Sequence, residues 1–133
     1  MAERLRIILA DDNSAILKAE EDILENDFQI VCAINDSRSV VPKVSELKPD
    51  VVVLDISMDD LNGFDIAHQL RTKRCTSKII FLSVHEELEF IRSAFDAGVS
   101  GYVFKSRMNT DLRTAIKTVQ AGGVFIPHAP IPQ

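Results

Sequence analysis

The amino-acid sequence predicts an α/β fold, a doubly wound parallel sheet of five strands with helices on both faces. Three observations carry this: five short apolar runs, a helix-period pattern after each of them, and helix-ending residues between pattern and run. The first run is "LRIILA" at residues 5 to 10, followed by Ile16, Leu17, Ile23 and Leu24 at helical spacing. The second, "FQIVCAI" at 28 to 34, leads to Val40, Val41, Val44 and Leu47, and Pro49 stops that helix. The third, "DVVVLD" at 50 to 55, has the continuous β-branched character of a strand covered on both sides, and Phe64, Ala67 and Leu70 follow it. The fourth, "KIIFLS" at 78 to 83, precedes Leu88, Ile91 and Phe95, with Gly98 as the stop. The fifth, "GYVFK" at 101 to 105, precedes Leu112, Ala115, Ile116 and Val119 at near-ideal helical spacing. Residues 122 to 133, "GGVFIPHAPIPQ", carry three prolines after a glycine pair and read as an extended linker, which leaves residues 1 to 121 as the domain.

Composition narrows the class. A chain of 133 residues fits one domain whose core needs neither metal nor disulfide for stability. The two cysteines, Cys32 and Cys75, lie far apart without CxxC spacing, which suits a reducing cytoplasm. The N-terminal run is too short and too quickly followed by acids for a secretory signal, and no apolar stretch approaches membrane length. Twenty acidic against fifteen basic residues, a net charge of −5, is the wrong sign for a domain that itself grips a phosphate backbone. The small basic group Arg71, Lys73 and Arg74 does not alter this, because cations are expected at a helix C-terminus.

In an open α/β sheet the working groups gather at the carboxyl ends of the strands. Asp11 and Asp12 follow the first strand, Asp55 ends the third, Ser83 the fourth and Lys105 the fifth. Each alone also reads as a helix cap, a turn residue or a solvated loop residue. Together they describe a site. Three converging carboxylates repel one another unless a cation sits among them, and magnesium, a hard ion held by one or two carboxylates and several waters, suits such a set.

These residues resemble the receiver domain of bacterial two-component response regulators. The resemblance covers nearly the whole chain and is carried by Asp11 and Asp12, by "LDISMDDLNGFD" around Asp55, by Ser83 in "FLS", and by "AGVSGYVFK" ending in Lys105. It implies a flavodoxin-like sheet of strand order 2-1-3-4-5. It also implies that Asp55 accepts a phosphoryl group from a sensor histidine kinase, that Asp11, Asp12 and the Ser57 carbonyl join Asp55 in holding Mg2+, and that Lys105 and Ser83 contact the phosphoryl oxygens. Tyr102 occupies the place of the aromatic that turns inward with Ser83 as the switch; the alternative for Tyr102 is a half-buried strand aromatic with a wet hydroxyl. The ending "AIKTVQAGGVFIP" is similar to the junction that leads into a LuxR-type helix-turn-helix output domain. The partners implied are a histidine kinase and that DNA-binding domain, with self-association open, and with no nucleic acid or membrane bound by this domain.

The chain departs from the family pattern at two loops. Ser106 follows the lysine where a proline, often cis, is usual, so either the loop is trans with Lys105 placed differently or a costly cis bond is retained. Asp59 stands where the third loop usually has proline, and with Asp60 it adds charge to the rim that either holds metal-bound water or is merely solvated. His85, two positions past Ser83, falls where side chains border the path of hydrolytic water and is a candidate modulator of phosphate lifetime. Two rival readings remain. A magnesium-dependent phosphatase of the haloacid dehalogenase type needs a second aspartate two residues past the nucleophile, and that position is Ser57. A degenerate or stand-alone receiver, binding partners without phosphorylation, would be expected to have lost part of the acidic set.

Overall fold

The computed structural model describes residues 4–127. Five strands, β1 (Arg6–Ala10), β2 (Gln29–Ile34), β3 (Val51–Asp55), β4 (Lys78–Ser83) and β5 (Gly101–Phe104), alternate with five helices, α1 (Ser14–Leu24), α2 (Ser37–Leu47), α3 (Gly63–Thr72), α4 (Leu88–Asp96) and α5 (Met108–Gln120). All strand pairs are parallel, in the order β2-β1-β3-β4-β5. The doubly wound, flavodoxin-like topology is the one expected.

Alternate strand residues point to opposite faces, so each face of the sheet has its own core. Ile8, Val52, Leu54 and Phe81 pack with Val40, Val44, Ile66, Leu70 and Ile91 from α2, α3 and α4. On the other side Ile7, Leu9, Val53, Leu82 and Val103 meet Leu17, Leu24, Leu112, Ile116 and Val119 from α1 and α5. β3, central and entirely buried, explains the unbroken Val51–Leu54 block.

Local chemistry sets where the helices begin and end. Asn13 and Asn62 cap α1 and α3 by accepting hydrogen bonds from main-chain N–H groups of Ala15, Ile16 and Asp65. Asp36 caps α2 in the same way through Arg38 N–H. Lys48 adopts a left-handed conformation after α2, directly before Pro49, and Gly98 does so after α4 (φ 97°).

Two expectations are corrected. Leu88, expected with Ile91 and Phe95 on the buried stripe of α4, is 59% exposed as the first residue of the helix; Ile91 and Ala94 are the residues that α4 buries. The segment after α5 does not run straight out: Phe125 N–H donates to the Ser100 carbonyl, Tyr102 N–H donates to the Phe125 carbonyl, and the Phe125 ring packs on the α1/α5 core. This short pairing covers the free edge of β5. The remainder of the expected linker, residues 128–133, lies outside the described residues.

Gly63 opens α3 where it passes closest to the end of β3. A Cβ at this position would stand 2.8 Å from Ile56 Cα and 3.2 Å from the Asp55 carbonyl oxygen, both main-chain atoms that cannot yield without moving the strand end. Gly63→Ala is therefore expected to destabilise the fold by about 1–3 kcal/mol, the usual range for overpacking, as read from the urea unfolding midpoint.

Candidate functional site

The strand ends converge as the chain alternation requires. Asp11 follows β1 directly and its main-chain N–H donates to the Ile34 carbonyl (3.0 Å), which ties it to the neighbouring strand. Its Oδ1 accepts from Asn13 N–H (2.9 Å), an Asx turn that fixes the carboxylate plane just before α1 starts. Asp55 repeats the device, with Oδ1 accepting from Ser57 N–H at 3.1 Å. In both residues the other oxygen faces Lys105, whose Nζ lies 3.1 Å from Asp11 Oδ2 and 3.4 Å from Asp55 Oδ2. Asp12 completes the set: one carboxylate oxygen from each of Asp11, Asp12 and Asp55 falls within 4.8 Å of the others.

Burial gives this cluster its chemistry. Asp11 is fully buried and Asp55 is 3% exposed. Desolvation, reinforced by the Asp11 charge and opposed by Lys105, pushes the Asp55 carboxyl up to about 6. Burial alone would lower the Lys105 pKa, but the Asp55 and Asp11 carboxylates outweigh it and the net shift is upward. The ammonium thus remains charged between its two partners.

Beside the cluster, β4 ends in Ser83, 1% exposed, whose Oγ accepts from His85 N–H at 2.9 Å. Tyr102 is fully buried, and its hydroxyl donates to the His85 carbonyl at 2.8 Å. The ring of Tyr102 therefore lies inward, with no wet hydroxyl. Ser106 turns toward the same loop and donates to Glu86 Oε2 at 3.2 Å. Lys105–Arg107 form a single 3-10 turn, and no cis peptide occurs among the described residues, so the loop is trans while Lys105 still reaches both carboxylates.

The candidate modulators divide. Asp59 is exposed yet lies against Asp12: a hydrogen bond to that carboxyl, and then its charge, push the Asp59 carboxyl up. Asp60 points elsewhere and pairs with Arg38 at 3.3 Å on the surface. The His85 ring stacks on Phe90 with centroids 4.0 Å apart, and its Nδ1 lies 3.6 Å from Glu87. Ser57 contributes its N–H to Asp55 and is otherwise exposed.

One residue escaped the sequence reading. Glu20, on α1, is fully buried, and neither carboxyl oxygen has a hydrogen-bond partner. Desolvation first, then the nearby Asp11 charge, push its carboxyl up to about 9, with Lys105 opposing. A fourth carboxyl thus underlies the cluster. The signal was present: Leu17, Glu20 and Leu24 share one helical stripe, so a glutamate stands at a core position.

Comparisons with known proteins agree with this geometry. The family described as "Response regulator receiver domain" matches residues 7–117. The chain is 29% identical over 125 residues to the transcriptional regulatory protein DegU of Brevibacillus brevis, covering 92% of this chain and 53% of that protein. It is 28% identical over 123 residues to the DNA-binding transcriptional activator EvgA of Escherichia coli (strain K12), covering 92% and 60%. The chain thus spans between 53% and 60% of the length of these relatives. Among solved structures, a LuxR-family two-component response regulator from Aurantimonas sp. SI85-9A1 superposes with a TM-score of 0.88 at 27% identity, covering 93% of this chain and 90% of that one. The isolated receiver domain of RcsB from Salmonella enterica serovar Typhimurium, determined with the phosphomimetic BeF3−, shares the fold with a TM-score of 0.87 at 24% identity, covering 95% of each chain. A match over residues 7–117, on a sheet of this order with an acidic cluster at its carboxyl edge, places the chain in the receiver-domain family of two-component response regulators, a signalling domain with LuxR-type transcription regulators among its relatives.

Proposed function

We propose that this domain accepts a phosphoryl group on Asp55 and that the modification changes the surface it offers to an output domain. The observation that carries the reading is the Lys105 ammonium set between Asp11 and Asp55, with Asp12 completing three close carboxylates at the carboxyl edge of the sheet. Three such carboxylates fit a hard, oxygen-seeking cation better than they fit one another, because Lys105 supplies only one positive charge against them. Asp11, Asp12, Asp55 and the Ser57 carbonyl would hold Mg2+. When bound, it neutralises charge on a transferring phosphoryl group.

The chain's own groups supply the rest. A carboxylate oxygen of Asp55 attacks phosphorus as the phosphorus–nitrogen bond of a kinase phosphohistidine breaks, and the imidazole leaves with the bonding pair and takes up a proton. The Ser57 N–H holds the other Asp55 oxygen, so the nucleophile keeps its direction. Lys105 is within reach of the product and exchanges a carboxylate for a phosphoryl oxygen as partner. Ser83 already engages the His85 N–H, and redirecting its hydroxyl to a phosphoryl oxygen releases that bond and loosens the loop that Tyr102 grips. The His85 contacts with Phe90 favour a part in loop position over a part in water attack, whereas Asp59 beside Asp12 favours an influence on the rim of the cation site.

By analogy with relatives that are DNA-binding regulators, a histidine kinase is the phosphoryl donor, a LuxR-type DNA-binding domain follows the linker in the full-length protein, and the cytoplasm is the site of action. No helix among the described residues is long and apolar enough to cross a membrane.

Two predictions test this reading. Acetyl phosphate with Mg2+ is expected to add one phosphoryl group by intact mass, and Asp55→Asn to abolish the addition; an unlabelled wild type would instead support a receiver that only binds partners. Without divalent cations, Asp55 also dictates a pH dependence. Its folded-state pKa of about 6 exceeds the ordinary 3.8, so the stability it contributes is complete below the ordinary value and lost as pH rises through about 6. Asp55→Asn is therefore expected to be more stable than wild type at pH 7.5, with the gap closing toward pH 4 in urea titrations; a gap unchanged by pH sinks the assignment of a desolvated, ionisable Asp55.

A further inference from the structure

A cavity of about 330 Å3 lies between the segments that enter β3 and β4, at the edge of the sheet opposite the acidic cluster. Lys48, Lys73 and Arg74 line it with Val44, Cys75 and Thr76, and no acidic residue does. Among the described residues, none of these three cations forms an ion pair with a carboxylate. Their neighbour Arg71 takes no part, because its side chain lies against Gly98. In a chain of net charge −5, three unpaired cations around one cavity are a local reversal of sign.

Helix dipoles do not account for these cations. Lysine and arginine gather at a helix C-terminus because its last carbonyls lack donors, yet here other groups supply several of those donors. Arg6 Nη1 donates to the Leu47 and Lys48 carbonyls at 2.6 and 3.0 Å. At the end of α3 the main-chain N–H groups of Lys73, Cys75 and Arg74 donate to the carbonyls of Gln69, Leu70 and Arg71. Backbone conformation does not account for them either. Lys48 (φ 47°) and Arg74 (φ 57°) are the only non-glycine residues with a left-handed backbone among the described residues, and both line this cavity. Such positions favour glycine, so a long cation is held at each against the local preference. The two walls are also tied together: Ser77 Oγ donates to the Pro49 carbonyl at 2.6 Å, and Lys78 N–H donates to the Asp50 carbonyl at 3.0 Å.

We propose that this cavity binds a small organic phosphate. A guanidinium fork matches two phosphate oxygens, the two ammonium groups add compact charge, and the Thr76 hydroxyl is a further donor. Buried Val44 supplies an apolar wall for the organic part. The volume stands at the small end of ligand sites, which suits a molecule with one or two phosphate groups. The site is separate from Asp55 and does not depend on its phosphorylation.

The test is a 1H–15N NMR titration of the full chain at low ionic strength, with a chelator present so that no divalent ion bridges phosphate to the acidic edge. The probes are adenosine diphosphate and inorganic pyrophosphate, with adenosine as the phosphate-free control. Adenosine diphosphate is expected to shift the amides of Lys48, Lys73, Arg74 and Thr76 saturably, pyrophosphate to shift the same amides more weakly, and adenosine to leave them in place. Lys48→Gly and Arg74→Gly are each expected to raise the Kd about threefold or more and the double variant about tenfold, the scale of exposed charge contacts. Their thermal midpoints are expected to be unchanged or higher, because glycine suits both positions. Lys73→Gln, which leaves both left-handed residues in place, is expected to weaken binding as well, and Asp55→Asn to leave it unchanged. Absence of saturable shifts, equal binding of adenosine, or wild-type affinity in the double glycine variant overturns the proposal, and so does binding lost with Asp55→Asn, which would move the phosphate to the acidic edge.

Discussion

The structure turns on the repulsion among carboxylates at one end of a parallel sheet. Asp11 and Asp55 sit where main-chain strands end in a water-poor crevice, and each is fixed by an N–H two residues onward in the sequence. Those turns leave one oxygen of each residue directed at a common point. Charges so placed interact several-fold more strongly than in bulk water. The chain answers with one cation from another strand: Lys105, last in the order of strand ends, contacts both. One ammonium against three carboxylates leaves the site short of positive charge, a balance that suits a hard divalent cation.

The same crevice is wired to the surface by short polar contacts. Ser83 Oγ accepts from His85 N–H, Tyr102 donates to the His85 carbonyl, and the residue after Lys105 donates to Glu86. The loop between β4 and α4 is thereby held from three directions, by the strand it leaves, by β5 and by the turn before α5. Val84 in this loop and Leu88 at its end are 66% and 59% exposed, so a change in loop position alters an apolar surface. Such contacts provide physical continuity between the acidic site and the loop that leads into α4.

Much of this was legible in residue order. Val51–Leu54 could only be a strand covered on both faces, and polar residues placed just after five such runs had to meet at one edge once the sheet was parallel. What escaped did so for identifiable reasons. Glu20 is acidic, so the apolar periodicity of α1 passes over it although it occupies a core position beside Leu17 and Leu24. Spacing alone places Leu88 on the apolar stripe of α4, but spacing does not reveal where a helix begins, and Leu88 is its exposed first residue. Phe125 followed a glycine pair that reads as a break, yet the pair only turns the chain back along β5. The loop after Lys105 depended on a backbone choice that local sequence left open, and the Ser106 bond to Glu86, a residue twenty positions earlier, has no local signature.

The sheet and the site pull stability in opposite directions. Each face of β3 and its neighbours buries a continuous apolar layer, and burial of every large aliphatic side chain there contributes roughly 1.5–3 kcal/mol relative to exposure. Desolvated Asp55 and Glu20 draw on that surplus, since both carboxyls are pushed up and so favour protonation in the fold. A positive charge that settles among them recovers part of the loss. The fold therefore does not merely carry the acidic cluster; the surplus from its two apolar layers allows carboxyls to be held desolvated at the carboxyl edge of the sheet, where a nearby charge changes their energy most.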